Sequence, residues 1–191
     1  ASTGFEKITE EHNKPFITDN NQAGKIAIQY LELLLQMKRD KAVNLIMDQI
    51  DHKLTVKEIY IDIFQPVQYE LGRLWQKNEI GIAQEHYCTS VTQFLMARLY
   101  PYIFSGNRVD YTCITTCVGD ELHELGIRMI SDFFELDGWD TYFLGANTPK
   151  DAIITALEER SADVLGIGVT ITYNLNHVKE IIQTVRSNQR V

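Results

Sequence analysis

Residues 111–126 read YTCITTCVGDELHELG, and they decide how the rest of the chain is ordered. Tyr111 to Val118 is uncharged and rich in β-branched residues, which predicts a buried strand. A helix is expected from about Glu124 to Leu136, leaving a loop from Gly119 to His123 between the two. The alternation then continues. Thr141 to Leu144 (TYFL) predicts a second strand, and Pro149 suits the opening of the next helix. Val164 to Thr170 (VLGIGVT) predicts a third strand, and residues 175–187 (LNHVKEIIQTVRS) a third helix. Strands alternating with helices imply a parallel sheet, hence an α/β domain of the doubly wound type. In such sheets ligands bind beyond the carboxyl ends of the strands, where strand order reverses. The loops after the first and third strands are therefore the candidates.

Upstream the period changes from strand to helix. Residues 1–20 are polar and aperiodic and read as a lead-in. From Gln22, the residues Ile26, Tyr30, Leu33, Leu34 and Met37 recur at helical spacing. Val43, Ile46, Met47 and Ile50 repeat the pattern. Thr55-Val56-Lys57-Glu58 has the form of a capping box and opens a third helix, with Pro66 predicting a kink or break near Gln65. A fourth helix is expected from about Ala83 to Phe104. Residues 21–105 thus form a four-helix bundle, and residues 109–191 an α/β domain, with the change near Ser105-Gly106-Asn107.

Composition narrows the function. The 191 residues carry 18 Lys and Arg against 26 Asp and Glu, a net charge of −8. That field disfavours a nucleic-acid binder, and no helix-turn-helix or basic patch precedes the bundle. No apolar run reaches the length of a membrane span, and no secretory signal opens the chain. The three cysteines, Cys88, Cys113 and Cys117, form no disulfide framework. A soluble cytoplasmic protein is expected.

The first loop holds the chemistry. His123 stands among Asp120, Glu121 and Glu124, where one ring nitrogen can meet a metal while the other donates to a carboxylate. Glu121 is the natural partner. Read alone, such a histidine is more often a helix cap or a solvated side chain than a ligand. The loop lacks both the dinucleotide and the P-loop glycine patterns. It also lacks a second His or Cys at ligand spacing, so a protein zinc site is unsupported. A metal held by one histidine implies that a cofactor supplies the other ligands.

Glu121-x-His123-x-x-Gly126 resembles the D-x-H-x-x-G signature of cobalamin-binding domains, with Glu in place of Asp. The resemblance extends through residues 133–139 (FFELDGW), 144–149 (LGANTP) and 165–170 (LGIGVT). It implies a flavodoxin/Rossmann-like domain in which His123 replaces the cofactor's own dimethylbenzimidazole as lower cobalt ligand. The displaced nucleotide tail then lies in a slot beside the sheet. It also implies cofactor contacts from Asp120, Glu121, Leu122, Glu124 and Gly126, and from Gly168, Thr170 and Thr172. Trp75 followed by Glu85-His86 gives W-x9-E-H, which is similar to the motif of the CarH-like light sensors, where it surrounds an upper 5′-deoxyadenosyl group. Trp75 ends one helix and the pair begins the next. A stripe of Tyr87, Val91, Phe94 and Leu95 would leave Glu85 and His86 off the core face. The plainer alternative is a buried Trp with the pair as first-turn cap residues.

The chain departs from these patterns in two places. Gly168 stands where the family carries the serine of S-x-L, with Thr170 for the leucine, so Thr170, Thr172 or water would have to replace that hydroxyl. Gln76 stands where the light sensors carry a second histidine. The resemblance implies a non-catalytic sensory module holding adenosylcobalamin, or methylcobalamin, between bundle and sheet. Its output would come through a homo-oligomer or a separate domain or protein. The alternative is a corrinoid methyl carrier serving a methyltransferase. Cys113, Cys117 and the aromatics Tyr60, Phe64, Phe94, Tyr100, Tyr102 and Phe104 are expected in cores. Cys88 is close enough to Glu85 to approach a cofactor. His12, His52 and His177 are expected at the surface. Such domains have five strands, and Val191 falls where the fourth would begin, so the sheet is expected to be C-terminally incomplete.

Overall fold

In the computed structural model, Asn21 opens helix α1 (Gln22–Leu35), its side chain accepting from the Gly24 N–H at 2.7 Å. Residues 15–52, 54–104 and 107–188 are described. The lead-in over 1–14 with His12, Ser105 and Gly106 at the expected change of pattern, and the strand expected from Val191 lie outside them. The chain divides into two compact units, Ala1–Tyr100 and Pro101–Val191.

In the helical unit, α1 is followed by α2 (Arg39–Asp51) and α3 (Val56–Glu58). The expected capping box is present: Thr55 Oγ1 accepts from the Glu58 N–H, and Glu58 accepts from the Thr55 N–H at 2.7 Å. α3 runs on through a π-helical stretch, Ile59–Phe64, into α4 (Gln65–Gln76). The break expected at Pro66 is thus a change of hydrogen-bond register. Proline has no N–H for the carbonyl four residues back; just before it the Gln65 N–H bonds Tyr60 O, five residues back, and helical structure is continuous through Gln76. Helix α5 (Ile82–Leu99) ends short of the expected Phe104, passing into a 3₁₀ turn at Tyr100–Tyr102 that contains Pro101.

The core of this unit holds Tyr30, Leu34, Ile46, Ile59, Tyr60, Ile63, Phe64, Leu71, Leu95 and Leu99, all fully buried. Each buried aliphatic side chain contributes about 1.5–3 kcal/mol relative to exposure. The buried face of α5 is Cys88, Val91, Thr92, Leu95, Met96 and Leu99. This corrects the expected stripe: Phe94 is exposed and Tyr87 only half-buried. Small Cys88 and Thr92 let the neighbouring helices approach, whereas bulky Tyr87 and Phe94 turn outward. Cys88 is core, and Tyr100, expected as core, is exposed.

In the α/β unit, β1 (Thr112–Cys117), α6 (Leu125–Leu136), β2 (Asp140–Phe143), α7 (Lys150–Arg160), β3 (Val164–Gly168) and α8 (Leu175–Ser187) alternate as expected. The sheet is parallel in the order β2-β1-β3, with Ile114 of β1 paired to Tyr142 on one side and Leu165 on the other. Strand order therefore reverses across β1, and the loops after β1 and β3 lie side by side at the reversal. Ile114, Val118, Ile153, Leu157 and Ile181 form the core, and Cys113 and Cys117 are fully buried. Tyr102 and Phe104, expected as core, are exposed. Among the described residues no helix is long and apolar enough to cross a membrane.

Candidate functional site

β1 ends at Cys117, and Gly119 turns the chain with φ +60°, a left-handed conformation that favours glycine. The turn carries Glu121 inward until it is fully buried. Its Oε2 accepts from the Thr170 N–H at 2.8 Å and the Ile171 N–H at 2.9 Å, with the Asn174 amide at 3.4 Å. Its Oε1 accepts from the His123 N–H at 3.1 Å and meets His123 Nδ1 at 2.5 Å. Burial alone would raise the Glu121 pKa, but the Ile171 and Thr170 N–H groups, with His123, outweigh it and hold the carboxyl at about 2.

An ionised carboxylate can only accept, so His123 Nδ1 carries the proton and donates it. In the neutral ring the lone pair is then on the other nitrogen, Nε2, of a side chain that is 60% exposed. A buried carboxylate thus fixes tautomer and orientation, and an exposed lone pair faces outward. That donor set fits a cobalt whose remaining ligands come from a corrin. Among the described residues no three His, Cys, Asp or Glu side chains gather into a metal site of their own.

Around His123 the two loops present apolar side chains to the outside. Leu122 is 72% and Tyr173 76% exposed, with Ile171 on the β3–α8 loop and Leu175 at the start of α8 also exposed. The sequence reading named Leu122 but missed Ile171, Tyr173, Asn174 and Leu175. The available signal was their position directly after β3 at the reversal of strand order. Asp120 is exposed, Glu124 stands at the N-cap position of α6 without a side-chain cap hydrogen bond, and Gly126 is exposed with open space where a Cβ would stand.

Gly168 is different. A Cβ there would lie 2.8 Å from Ile127 Cβ, 2.9 Å from Ile127 Cγ2 and 3.1 Å from Cys117 Sγ. Helix α6 therefore rests directly on β3, and a serine side chain would not fit. Thr170 and Thr172 do not replace its hydroxyl within the strand: both are exposed beyond its end, and Thr170 meets Glu121 through its backbone N–H. His177, expected at the surface, is half-buried, with Nδ1 fully enclosed and lacking a hydrogen-bond partner. His52 is exposed as expected.

In the helical unit Trp75 is 46% exposed near the end of α4, so it is not the buried packing residue of the plainer alternative. Glu85 is half-buried in the first turn of α5 and accepts from Thr89 Oγ1 at 2.8 Å. Its position corrects the expectation that it lies off the core face: Glu85, Thr89 and Thr92 continue that face to the helix end. His86 is exposed, with Nε2 3.6 Å from Glu85 Oε2.

Two family models, each described as a B12 binding domain, match the chain, one over residues 111–191 and the other over residues 27–100. No curated protein matches it. Among solved structures, the monomethylamine corrinoid protein of Methanosarcina barkeri is similar with a TM-score of 0.76 at 13% identity, covering 87% of this chain and 79% of that one. A cobalamin-binding protein from Desulfitobacterium hafniense DCB-2 gives 0.40 at 17% identity, over 83% of this chain and 76% of that one. The methanol:cobalamin methyltransferase complex MtaBC from Methanosarcina barkeri gives 0.49 at 12% identity, over 99% and 74%. The first of these likenesses shows a shared corrinoid-protein fold. With the two B12 binding domain matches spanning most of its length, the chain belongs to a cobalamin-binding family, and cobalamin is its cofactor.

Proposed function

We propose that this chain is a corrinoid carrier in which His123 Nε2 ligates cobalt from below and the carried group is a methyl passed to or from a separate methyltransferase. The observation that carries the ligation is the 2.5 Å contact between His123 Nδ1 and the buried Glu121. Bound cobalamin supplies a cobalt–carbon bond that can be made and broken. The chain's own residues do the rest. Glu121 holds the ring nitrogen in its donating form, and Thr170 and Ile171 hold Glu121. Leu122, Ile171 and Tyr173 offer apolar surface to the lower face of a flat macrocycle. The methyl-carrier reading is supported by the similarity of fold to the monomethylamine corrinoid protein.

A second reading, light sensing through adenosylcobalamin, is favoured by one feature of the helical unit. Trp75 is exposed, and Glu85 and His86 are paired in the first turn of α5. There, loss of the upper group would alter contacts at these residues and bias a change in assembly. One experiment separates the two. The adenosylcobalamin-loaded chain is illuminated with green light and passed over a sizing column. A sensor shifts its elution together with its spectrum. A carrier keeps its elution, and its reduced, cobalamin-loaded form takes up a methyl group from a chemical methyl donor.

A further inference from the structure

Helix α6 covers one face of the sheet, and α7 and α8 cover the other. At the carboxyl end of β1, α7 and α8 leave a cavity of about 170 Å³. Its walls come from the α/β unit alone: Gly119 after β1, Pro149 and Lys150 at the start of α7, and His177, Glu180 and Ile181 on α8.

The two helices bring opposite chemistry to this cavity. Pro149 is the N-cap of α7 and supplies no side-chain cap, so the first-turn N–H groups stay open beside the Lys150 ammonium. On α8, His177 precedes Glu180 and Ile181 by one turn, and the three share a face. Ile181 is buried and gives the cavity an apolar floor. Lys150 and Glu180 are exposed at its rim, and among the described residues neither forms an ion pair. One helix thus offers donors and positive charge, the other acceptors and negative charge.

Behind the rim, two enclosed polar atoms lack partners. Asn174 is 2% exposed, with its amide nitrogen turned to Glu121 and its Oδ1 unpaired. A Cβ on Gly119 would collide with His177 Nδ1 and stand 3.1 Å from that oxygen, so both atoms look onto one bare Cα. Asn174 Oδ1 can only accept, which favours the His177 proton on Nδ1 and leaves the lone pair on Nε2. Nδ1 is enclosed while the ring is half-buried, so the edge carrying Nε2 is the one left for a ligand. A ligand that donates to Nε2 holds the ring in the tautomer that turns Nδ1–H towards Asn174, and so relieves an unpaired buried group.

We propose that this cavity binds a small zwitterion of the amino-acid class. Its carboxylate lies at the first turn of α7 beside Lys150, its ammonium at Glu180 and His177 Nε2, and its short carbon chain against Ile181 and Pro149. A simple anion would leave Glu180 facing like charge, and a simple cation would do the same at Lys150. The proposal does not rest on the cobalamin reading and holds with or without that cofactor.

The test is titration of the ¹⁵N-labelled full chain with L-alanine and, separately, with acetate and methylammonium, followed by its amide resonances. L-Alanine is expected to shift Gly119, Lys150 and His177 saturably, and each half-molecule to bind about tenfold more weakly. Lys150→Gln and Glu180→Gln change exposed side chains, so both variants should fold. Each should weaken L-alanine about tenfold, while Glu180→Gln leaves acetate and Lys150→Gln leaves methylammonium unchanged. The proposal is overturned by the absence of a saturable shift with L-alanine, by shifts centred on other residues, or by full affinity in both variants. Acetate binding as tightly as L-alanine overturns it too, and would mark a helix start that takes any small anion.

Discussion

Two carboxylates, Glu121 in the α/β unit and Glu85 in the helical unit, are both aimed, but by different means. Glu121 is fully buried and is gripped mainly by backbone N–H groups of a loop 49 and 50 residues away. Glu85 is half-buried and is held by a side-chain hydroxyl one turn along its own helix, backed by other side chains. A backbone grip survives almost any change of side chain in the gripping loop, since every residue but proline supplies the N–H. A side-chain line can be rewritten one substitution at a time. The backbone grip suits a part that must stay fixed, the ring of His123.

The largest effect should come from removing the gripped group. Glu121→Ala leaves the Thr170 and Ile171 N–H groups without their acceptor, and should cost about 3 kcal/mol of unfolding free energy in the cofactor-free chain. Each unit has one tryptophan, Trp139 in the α/β unit and Trp75 in the helical unit. Denaturation of a Trp75→Phe variant followed by Trp139 fluorescence therefore reports the α/β unit. A loss below about 1 kcal/mol would show that the grip is not what holds the loop.

Acid acts on the same group. The folded Glu121 pKa of about 2 lies below the ordinary 4.5, so its contribution is complete above about pH 4.5 and is lost as pH falls towards 2. Stability of the Trp139-reported unit should decline across that window by an amount on the order of 3 kcal/mol. Replacing Glu121 with Gln should flatten this part of the profile, and an unchanged slope would assign it to other carboxyls.

Smaller effects are expected in the helical unit. Tyr30→Phe removes one buried donor and leaves Thr92 its other two partners, so the cost should be about 1 kcal/mol, read from Trp75 in a Trp139→Phe background. Smallest of all, Glu85→Gln keeps an oxygen for Thr89 and should change stability by less than about 0.5 kcal/mol. A larger loss at Glu85 would mean that its bond to Thr89 is a main support of the unit.

The contrast also explains what could be read from the sequence. The strands were legible because β-branched runs at 111–118 and 164–170 have few other uses, and the His123–Glu121 pairing because the partners are two residues apart. The other half of the Glu121 site was not. Thr170 and Ile171 act there through N–H groups, which carry no mark of residue identity, and chain folding alone brings them near. In the helical unit, Gln68, Thr89 and Thr92 look like ordinary polar helix residues until the register of α4 on α5 is known. The core face of α5 was misplaced because bulk suggested Tyr87 and Phe94, whereas close helix packing selected Cys88 and Thr92. At Gly168 the missing serine was visible, but its cause, Ile127 pressing on the strand, was not.

The central claim is that His123 occupies the lower position on cobalt. The most direct measurement is the electron paramagnetic resonance spectrum of the cobalt(II) form of the loaded chain, prepared with histidine of natural isotope and again with ¹⁵N-histidine. Ligation by His123 predicts that the threefold nitrogen splitting of each cobalt line becomes twofold on labelling, and that the change is absent in His123→Ala. A threefold splitting that persists unchanged with ¹⁵N-histidine would show that the cofactor's own base stays on cobalt and would contradict the claim.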